Sequence, residues 1–368
     1  MPCRISLWLE RRRATPAFYR SSNYALQRAA AVVMSAICLS SPMAARAQAP
    51  DDSVARFYKG QQVKVIISGA VGSDYDMYAR LVTRLMSKYL PGNPTFLPQN
   101  MPGAGHLTAT NYLYSIAPQD GSVIGMVARN IPQVALLKEP NARFEPAKFN
   151  WLGNPEVSPQ ICATIAGAPV QKAEDLFKDE LLIGGAGAAS SPSEVAHFLK
   201  GLLGMKFKLV EGYKSVPEVS LAMMRREVHA VCQSLYALQG GNLAGWIADG
   251  RLKVLFNFEK DPIPGIEAPS IYQFLKTDEQ KRFMDFFTAS ARLGRPMLAP
   301  PNVPAERVAA LRAAFIAAVK DPELHEEVKR VGGQVTLVSG VEVQAIVEGI
   351  MNTPLSVAER VQAMTRGQ

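Results

Sequence analysis

The chain has 368 residues, of which 48% are hydrophobic and 20% are charged, and its formal net charge is +8. Residues 1–49 hold seven arginines and one glutamate, which leaves the rest of the chain near +2. A net charge so close to zero gives no indication of nucleic-acid binding. The remaining length, about 320 residues, exceeds one ordinary hydrophobic core and therefore predicts two domains.

The N-terminal segment has the composition of a secretory signal peptide. A basic leader precedes an apolar run at residues 29–39, which is too short to span a bilayer. Two overlapping cleavage sites of the small-x-small type follow, at Ala45-Arg46-Ala47 and Ala47-Gln48-Ala49. We therefore predict a signal peptide over residues 1–49 and a mature protein that is soluble outside the cytoplasm, in the periplasm.

The first predicted unit after the leader is a strand, a loop and a helix. Residues 63–67 are rich in β-branched side chains, which is typical of a buried strand. Small residues fill the loop at 68–74, and apolar residues then recur at helical spacing over 78–89. Free N–H groups at such a helix N-terminus suit a carboxylate or a phosphate. The alternative is that Gly69 and Gly72 only permit a tight turn.

Similar units follow along the chain. Extended patterns at 95–98 and 122–127 complete a first set, and successive strand–helix units predict a parallel, doubly wound sheet. A second set contains the predicted strands 161–165, 181–183, 207–210, 228–232 and 252–258. After a proline-rich break at 299–304 the chain adds helices, from which we predict a return to the first domain and a hinged cleft.

A glycine-rich loop in the second set suggests a competing interpretation. Residues 185–190 follow a strand and open a helix, as in a dinucleotide-binding fingerprint, and Glu211 stands where an acidic residue would hold a ribose. However, Ser190 replaces the third glycine or alanine, and nicotinamide cofactors are not supplied outside the cytoplasm. A loop that binds a small anion at a helix N-terminus explains the same residues, so we expect no cofactor.

The sequence carries few signals of catalysis or metal binding. No histidine stands at metal-ligand spacing from another histidine or a cysteine, and neither a Gly-x-Ser-x-Gly elbow nor a His-Glu-x-x-His helix occurs. Asp74 and Asp76 would point about 200° apart on a helix, so we interpret them as capping residues rather than a catalytic pair. If one faced the cleft beside Tyr75, it would favour a hydroxy or amino acid. We predict no enzymatic activity.

Two cysteines, Cys162 and Cys232, remain once the leader is removed. Each falls in a predicted strand, so they could form a disulfide in an oxidising compartment if those strands are neighbours. Strand geometry seldom suits a disulfide, and we therefore favour two buried free thiols.

The order of these motifs resembles a known family. A strand followed by Gly-x-x-x-Asp and a helix with Ala79-Arg80, then Asn100-x-Pro-Gly-Ala-Gly and Asp120-Gly121, looks like the extracytoplasmic receptors of tripartite tricarboxylate transporters, the Bug-type receptors. Gly185 to Pro192 and Glu211-Gly212-Tyr213-Lys214 resemble that family's second-domain loop and the following strand end.

This sequence departs from the family pattern at three places. Residues 226–229 read Arg-Glu-Val-His where the family has a Gly-Gly-Gln-Val-Asp-like turn, and Ser215 follows Lys214 where a glycine is typical. The first loop is also more acidic and aromatic than usual. The resemblance implies an α/β chain with the type II periplasmic-binding-protein fold, two doubly wound lobes around a hinged cleft. We predict lobe 1 over residues 50–150 and 288–368, and lobe 2 over 151–287.

The resemblance also implies a function and a site. A small carboxylate would be held by backbone N–H groups and small side chains of the strand–helix loops, without catalysis, metal or cofactor. The predicted ligand-binding residues are Ala70, Val71, Gly72, Ser73, Asp74, Tyr75, Asn130, Gly187, Ala188, Ser190, Ser191 and Tyr213.

The implied partners follow from the family. A monomeric receptor would pass its carboxylate to a membrane permease made of a large and a small subunit. The alternative is a periplasmic sensing subunit that feeds a membrane histidine kinase, because such a subunit would use the same fold. An exported hydrolase would need a nucleophile and a base at motif spacing, which the sequence lacks.

Overall fold

The computed structural model describes residues 52–157, 159–187 and 190–368. The predicted signal peptide and the predicted ligand-binding residue Ala188 lie outside these ranges. Within them, no helix combines the length and the hydropathy that crossing a membrane would require.

Two sheets form the centre of the described chain. Its eleven strands are β1 (Gln62–Ile67), β2 (Thr95–Asn100), β3 (Val123–Met126), β4 (Asn150–Asn154), β5 (Gln160–Ile165), β6 (Leu181–Gly184), β7 (Phe207–Val210), β8 (Ala230–Ser234), β9 (Leu252–Asn257), β10 (Met297–Ala299) and β11 (Val338–Ser339). The first sheet has the order β2-β1-β3-β10-β4-β11, and the second has the order β7-β6-β8-β5-β9.

The helices cover the faces of these sheets and form the C-terminal part of the chain. They are α1 (Asp52–Tyr58), α2 (Asp74–Tyr89), α3 (Leu107–Ser115), α4 (Ile131–Leu136), α5 (Ser191–Leu203), α6 (Val216–Met224), α7 (Leu235–Gly240), α8 (Asp278–Leu293), α9 (Ala305–Lys320), α10 (Pro322–Arg330), α11 (Gly340–Met351) and α12 (Leu355–Thr365).

The two sheets share one topology. In the first sheet, β1, β2 and β3 are parallel, and β10 runs antiparallel between β3 and β4. In the second sheet, β6, β7 and β8 are parallel, and β5 runs antiparallel between β8 and β9. β10 and β5 are each the first strand that the chain forms in that sheet after crossing from the other, and the first sheet has one further antiparallel strand, β11, beside β4. The predicted pair of doubly wound α/β sheets is therefore confirmed.

The sheets extend across the predicted lobe boundaries. β4 pairs with β10 and β11 of the first sheet as far as Asn154, four residues beyond the predicted boundary at 150. Helix α8 spans Asp278–Leu293 and so contains the predicted return point at 288. The division of the chain into lobes at these residue numbers remains a prediction.

The first predicted unit folds as its sequence pattern indicates. Val63, Val65 and Ile67 of β1 are buried in one hydrophobic cluster with α2 and α9, while Ile66 is buried in another on the opposite face. A parallel strand that is covered on both faces needs such a continuous apolar run. Ser73 is the N-cap of α2, and its Oγ accepts a hydrogen bond from the amide of Asp76.

Cys162 and Cys232 are joined by a disulfide, so the preference for free thiols was wrong. Cys162 lies in β5 and Cys232 in β8, directly opposite each other in the antiparallel register. That register depends on β5 being inserted between β8 and β9 after a crossing from the other sheet. The pattern of residues within one strand does not show which strands will be its neighbours in the sheet.

Two short segments carry the chain between the sheets, one after β4 and one between α8 and β10. Asn154 joins them, because its Oδ1 accepts hydrogen bonds from the amides of Glu156 (3.1 Å) and Arg295 (2.8 Å). Gly294 has φ 56° and ψ −110°, and a Cβ there would overlap the carbonyl oxygen of Glu156. Only glycine fits this close approach.

Candidate ligand-binding site

The first glycine loop already holds a carboxylate of its own chain. Asp76 accepts hydrogen bonds from the amide of Gly72 (2.9 Å), from Arg80 Nε (2.7 Å) and from Asn100 Nδ2 (3.0 Å). Burial disfavours the charged form of Asp76, but these bonds outweigh it, so the pKa of the carboxyl lies below its ordinary value. Asp76 therefore orders the loop and is not available to a ligand.

Few N–H groups of the first loop remain for an external acceptor. The amides of Ser73 and Met77 donate within the loop to Ala70 O and Ser73 O, and that of Asp76 donates to Ser73 Oγ. The amides of Asp74 and Tyr75 belong to the first turn of α2, where a helix offers them no acceptor. These two are the best-placed donors of the loop.

Tyr75 connects the first loop to the end of β3. Its hydroxyl oxygen accepts a hydrogen bond from the amide of Arg129 at 3.4 Å. Its ring lies beside that of His106, with 5.4 Å between the centroids, and His106 Nδ1 lies 3.0 Å from the carbonyl oxygen of Ser68. The loop and Arg129 therefore form one continuous surface.

A cavity of about 1150 Å³, lined largely by α8, α11 and residues 258–264, reaches the carboxyl edges of both sheets. Arg129, immediately beyond β3, lines it on the side of the first sheet. Gln160 at the start of β5, together with Ser191 and Glu194 at the start of α5, lines it on the side of the second. Open α/β sheets bind their ligands at this edge, so the cavity is the candidate site.

The second glycine loop also holds an internal carboxylate. Glu211 accepts hydrogen bonds from the amide of Gly187 (2.9 Å) and from Ser193 Oγ (2.8 Å). A Cβ at Gly185 would lie 2.8 Å from Glu211 Oε2, so this glycine is needed for the contact. Glu211 thus occupies the place where a dinucleotide would bring its pyrophosphate, which argues physically against that interpretation.

The comparisons with known proteins concern structure rather than sequence. No protein-family model matches the chain, and no curated protein sequence matches it. A TctC solute-binding protein from Polaromonas matches the structure with a TM-score of 0.66 at 16% sequence identity, over 82% of this chain and 99% of that one. The chain has the periplasmic-binding-protein fold.

Two further structures with this fold match over similar lengths. The periplasmic binding protein BugD has a TM-score of 0.53 at 19% identity, over 83% of this chain and 98% of its own. MatC from Rhodopseudomonas palustris, solved with bound malate, has a TM-score of 0.52 at 19% identity, over 83% of this chain and 99% of its own. The predicted type II periplasmic-binding-protein fold is confirmed.

The structure distributes the predicted ligand-binding residues unevenly around the cavity of this fold. Ser191 lines the cavity, and Tyr75 reaches its edge through Arg129. Val71 is 77% exposed, and neither Asn130 nor any other predicted residue of the described ranges lines the cavity. All twelve assignments stay predictions; besides Tyr75 and Ser191 they are Ala70, Val71, Gly72, Ser73, Asp74, Asn130, Gly187, Ala188, Ser190 and Tyr213.

Arg129 and Glu194 are two of the charged residues lining the cavity that the sequence interpretation missed. Arg129 follows a predicted strand directly, which is the signal that was assigned to its neighbour Asn130 instead. Glu194 lies in the first turn of α5, just after the second glycine loop, and the sequence interpretation considered only the small residues of that loop. Arg129 and Glu194 follow strands of different sheets, so their proximity depends on how the two sheets pack and cannot be inferred from residue spacing.

Proposed function

We propose that this chain is an extracytoplasmic solute receptor of the tripartite tricarboxylate transporter type, which binds a small carboxylate in the cavity and delivers it to a membrane permease. The observation that carries the proposal is Arg129, a half-buried cation in a cavity at the carboxyl ends of both sheets. Arg129 makes no salt bridge with any residue that the structure describes. A carboxylate ligand would supply the missing anion.

Known structures with the same fold support this ligand class. MatC was solved with malate, and the R. palustris protein Rpa4515, with a TM-score of 0.54 at 19% identity, was solved with adipate. In this chain the carboxylate would meet the Arg129 guanidinium and the free amides at the start of α2. Ser191 would add a hydroxyl donor from the other side of the cavity. All are donors that suit an anion.

The proposal includes no chemical step. The described residues contain no group of three histidine, cysteine or acidic side chains that could hold a metal ion. Binding would be followed by approach of the two sheets, the usual response of two lobes that are joined by crossing segments. The proposal keeps the predicted periplasmic location, the signal peptide over residues 1–49 and the monomeric state.

A thermal-shift screen of the processed protein tests the proposal. We expect at least one mono-, di- or tricarboxylate to raise Tm at millimolar concentration, and sugars and amines without a carboxylate to leave it unchanged. Arg129→Met should abolish that shift, whereas Arg330→Met, an exposed arginine on α10, should preserve it. A panel in which no carboxylate raises Tm would overturn the proposal. A permease gene pair beside the receptor gene would support the delivery step.

A further inference from the structure

Glu194 is a carboxylate in the cavity without a hydrogen-bond donor. Its amide donates to Ser190 O as an ordinary helical residue, but its side chain makes no hydrogen bond or salt bridge with the described residues. Burial raises the pKa of Glu194, and Arg129 is the charge that opposes this shift. The two side chains are thus near enough for their charges to interact, yet they do not form a salt bridge.

The acidic residues of the two glycine loops and of the segment after β4 are paired, whereas Glu194 is not. Asp76 binds Gly72 and Arg80, Glu156 binds Arg295, and Glu211 binds Gly187. Glu194 is half-buried, and a carboxylate that is partly removed from water costs free energy unless it receives hydrogen bonds. Its two oxygens are therefore available to accept hydrogen bonds from a ligand in the cavity.

Neither aspartate of the first loop can fill this role. Asp76 is engaged by the loop, and Asp74 forms a salt bridge with Arg295 at 2.6 Å. The suggestion that one of them selects a hydroxy or amino acid therefore finds no support in the structure. A carboxylate aimed into the cavity is instead provided by Glu194 on α5.

We propose that Arg129 and Glu194 form a two-ended clamp, with one residue on each side of the cavity, that selects a ligand bearing both a carboxylate and an ammonium or hydroxyl group. The Arg129 guanidinium binds the ligand's carboxylate, and the Glu194 carboxylate accepts a hydrogen bond from the amino or hydroxyl group. This inference rests on the proposed function. A plain dicarboxylate offers no donor to Glu194 and would bind less well than the same acid with a hydroxyl or ammonium group.

Calorimetry with matched ligands tests the clamp. Succinate, malate and aspartate share one carbon skeleton and differ by hydrogen, hydroxyl and ammonium at one carbon; adipate and 2-aminoadipate repeat the comparison at six carbons. In the wild type we expect the amino or hydroxy acid to bind at least about 10-fold more tightly than its plain counterpart, which corresponds to about 1.4 kcal/mol.

Three variants separate the two ends of the clamp. Glu194→Gln should remove most of the preference, by weakening the amino or hydroxy acid and strengthening the plain dicarboxylate. Arg129→Met should weaken all ligands of a set by a similar factor and leave their ranking unchanged. Glu306→Gln removes an exposed carboxylate of α9, makes the same change in net charge and should change neither quantity.

The outcomes distinguish the clamp from the receptor function itself. If plain dicarboxylates bind best and Glu194→Gln leaves the ranking unchanged, the clamp is wrong while the receptor proposal stands. If no carboxylate of either set binds the wild type, the clamp is wrong, and the wider thermal-shift panel decides the receptor proposal. Unfolding midpoints without ligand show whether each variant is folded, and Arg129→Met supplies a second reading should Glu194→Gln fold poorly.

Discussion

Arg295 forms a buried salt bridge with Glu156, and this pair joins the two segments through which the chain crosses between its sheets. Glu156 is 5% exposed, and the Arg295 side chain is 20% exposed. The second guanidinium nitrogen of Arg295 binds Asp74 at 2.6 Å, at the start of α2. Ionic contacts of Arg295 therefore link the two crossing segments to Asp74 in the first turn of α2.

Replacing Arg295 by methionine should lower the free energy of unfolding by about 3–5 kcal/mol, because Glu156 would stay buried without a partner. Replacing both residues, as Glu156→Gln with Arg295→Met, should cost less than the arginine variant alone. Urea unfolding of the wild type, both single variants and the double variant gives the coupling free energy. A cost below about 1 kcal/mol for Arg295→Met would contradict a structural role for the pair.

Gly294→Ala should destabilise the protein by at least about 3 kcal/mol, since its Cβ would overlap the Glu156 carbonyl in a backbone conformation that favours glycine. Gly250 is the matched control, because it also has a positive φ, of 77°, but its Cβ would meet open space. Gly250→Ala should therefore cost only the backbone strain, about 1 kcal/mol. Equal losses in urea unfolding would show that the close approach at Gly294 is relaxed in solution.

Asp76→Asn should lower the free energy of unfolding by about 1.5–3 kcal/mol at neutral pH, the range for hydrogen bonds to a charged group. The pKa of Asp76 is lowered in the native state, so its contribution is present above the unfolded pKa near 4. It is lost as pH falls through the native value.

Urea unfolding of this variant at pH 7, 5 and 3 measures the effect. The difference from the wild type should narrow towards pH 3, and Asp278→Asn, at an exposed first-turn aspartate of α8, should show little difference at any pH. If the difference in unfolding free energy between Asp76→Asn and the wild type stays constant with pH, the charge of Asp76 does not contribute to stability.

The disulfide between Cys162 and Cys232 should stabilise the native protein by about 4 kcal/mol, because it closes a chain segment with a sequence separation of 70 residues in the unfolded state. Replacing both cysteines by serine should lower the unfolding midpoint accordingly. In the processed protein these are the two cysteines, so thiol titration under denaturing conditions should detect none before reduction and two afterwards. Two reactive thiols before reduction would restore the free-thiol interpretation.

Local sequence patterns predicted correctly the strands and helices that pack against elements nearby in the sequence. The strand predicted at 63–67 is observed at Gln62–Ile67, and the predicted helix around 78–89 forms the greater part of α2. Strand β4 was not predicted, because its asparagines and glycine disfavour a strand. It exists through pairing with β10 and β11, which lie more than 140 residues further along the chain.

The candidate site was harder to predict for a related reason. The loops were located correctly at the ends of strands, but the sequence could not show that Asp76 and Glu211 occupy their glycine amides. Nor could it show that Arg129 and Glu194 share one cavity, since they reach it from different sheets. Each of these relations depends on tertiary geometry rather than on residue spacing.

The internal carboxylates of Asp76 and Glu211 affect the entropic cost of binding a ligand. They hold the first loop and the described part of the second in one conformation, which under the proposed receptor function would be present before a solute arrives. The conformational entropy of these loops is therefore lost during folding and not at the moment of capture. Preorganisation of this kind lets a small solute with few atoms be retained tightly, since little of its contact free energy goes into ordering the protein.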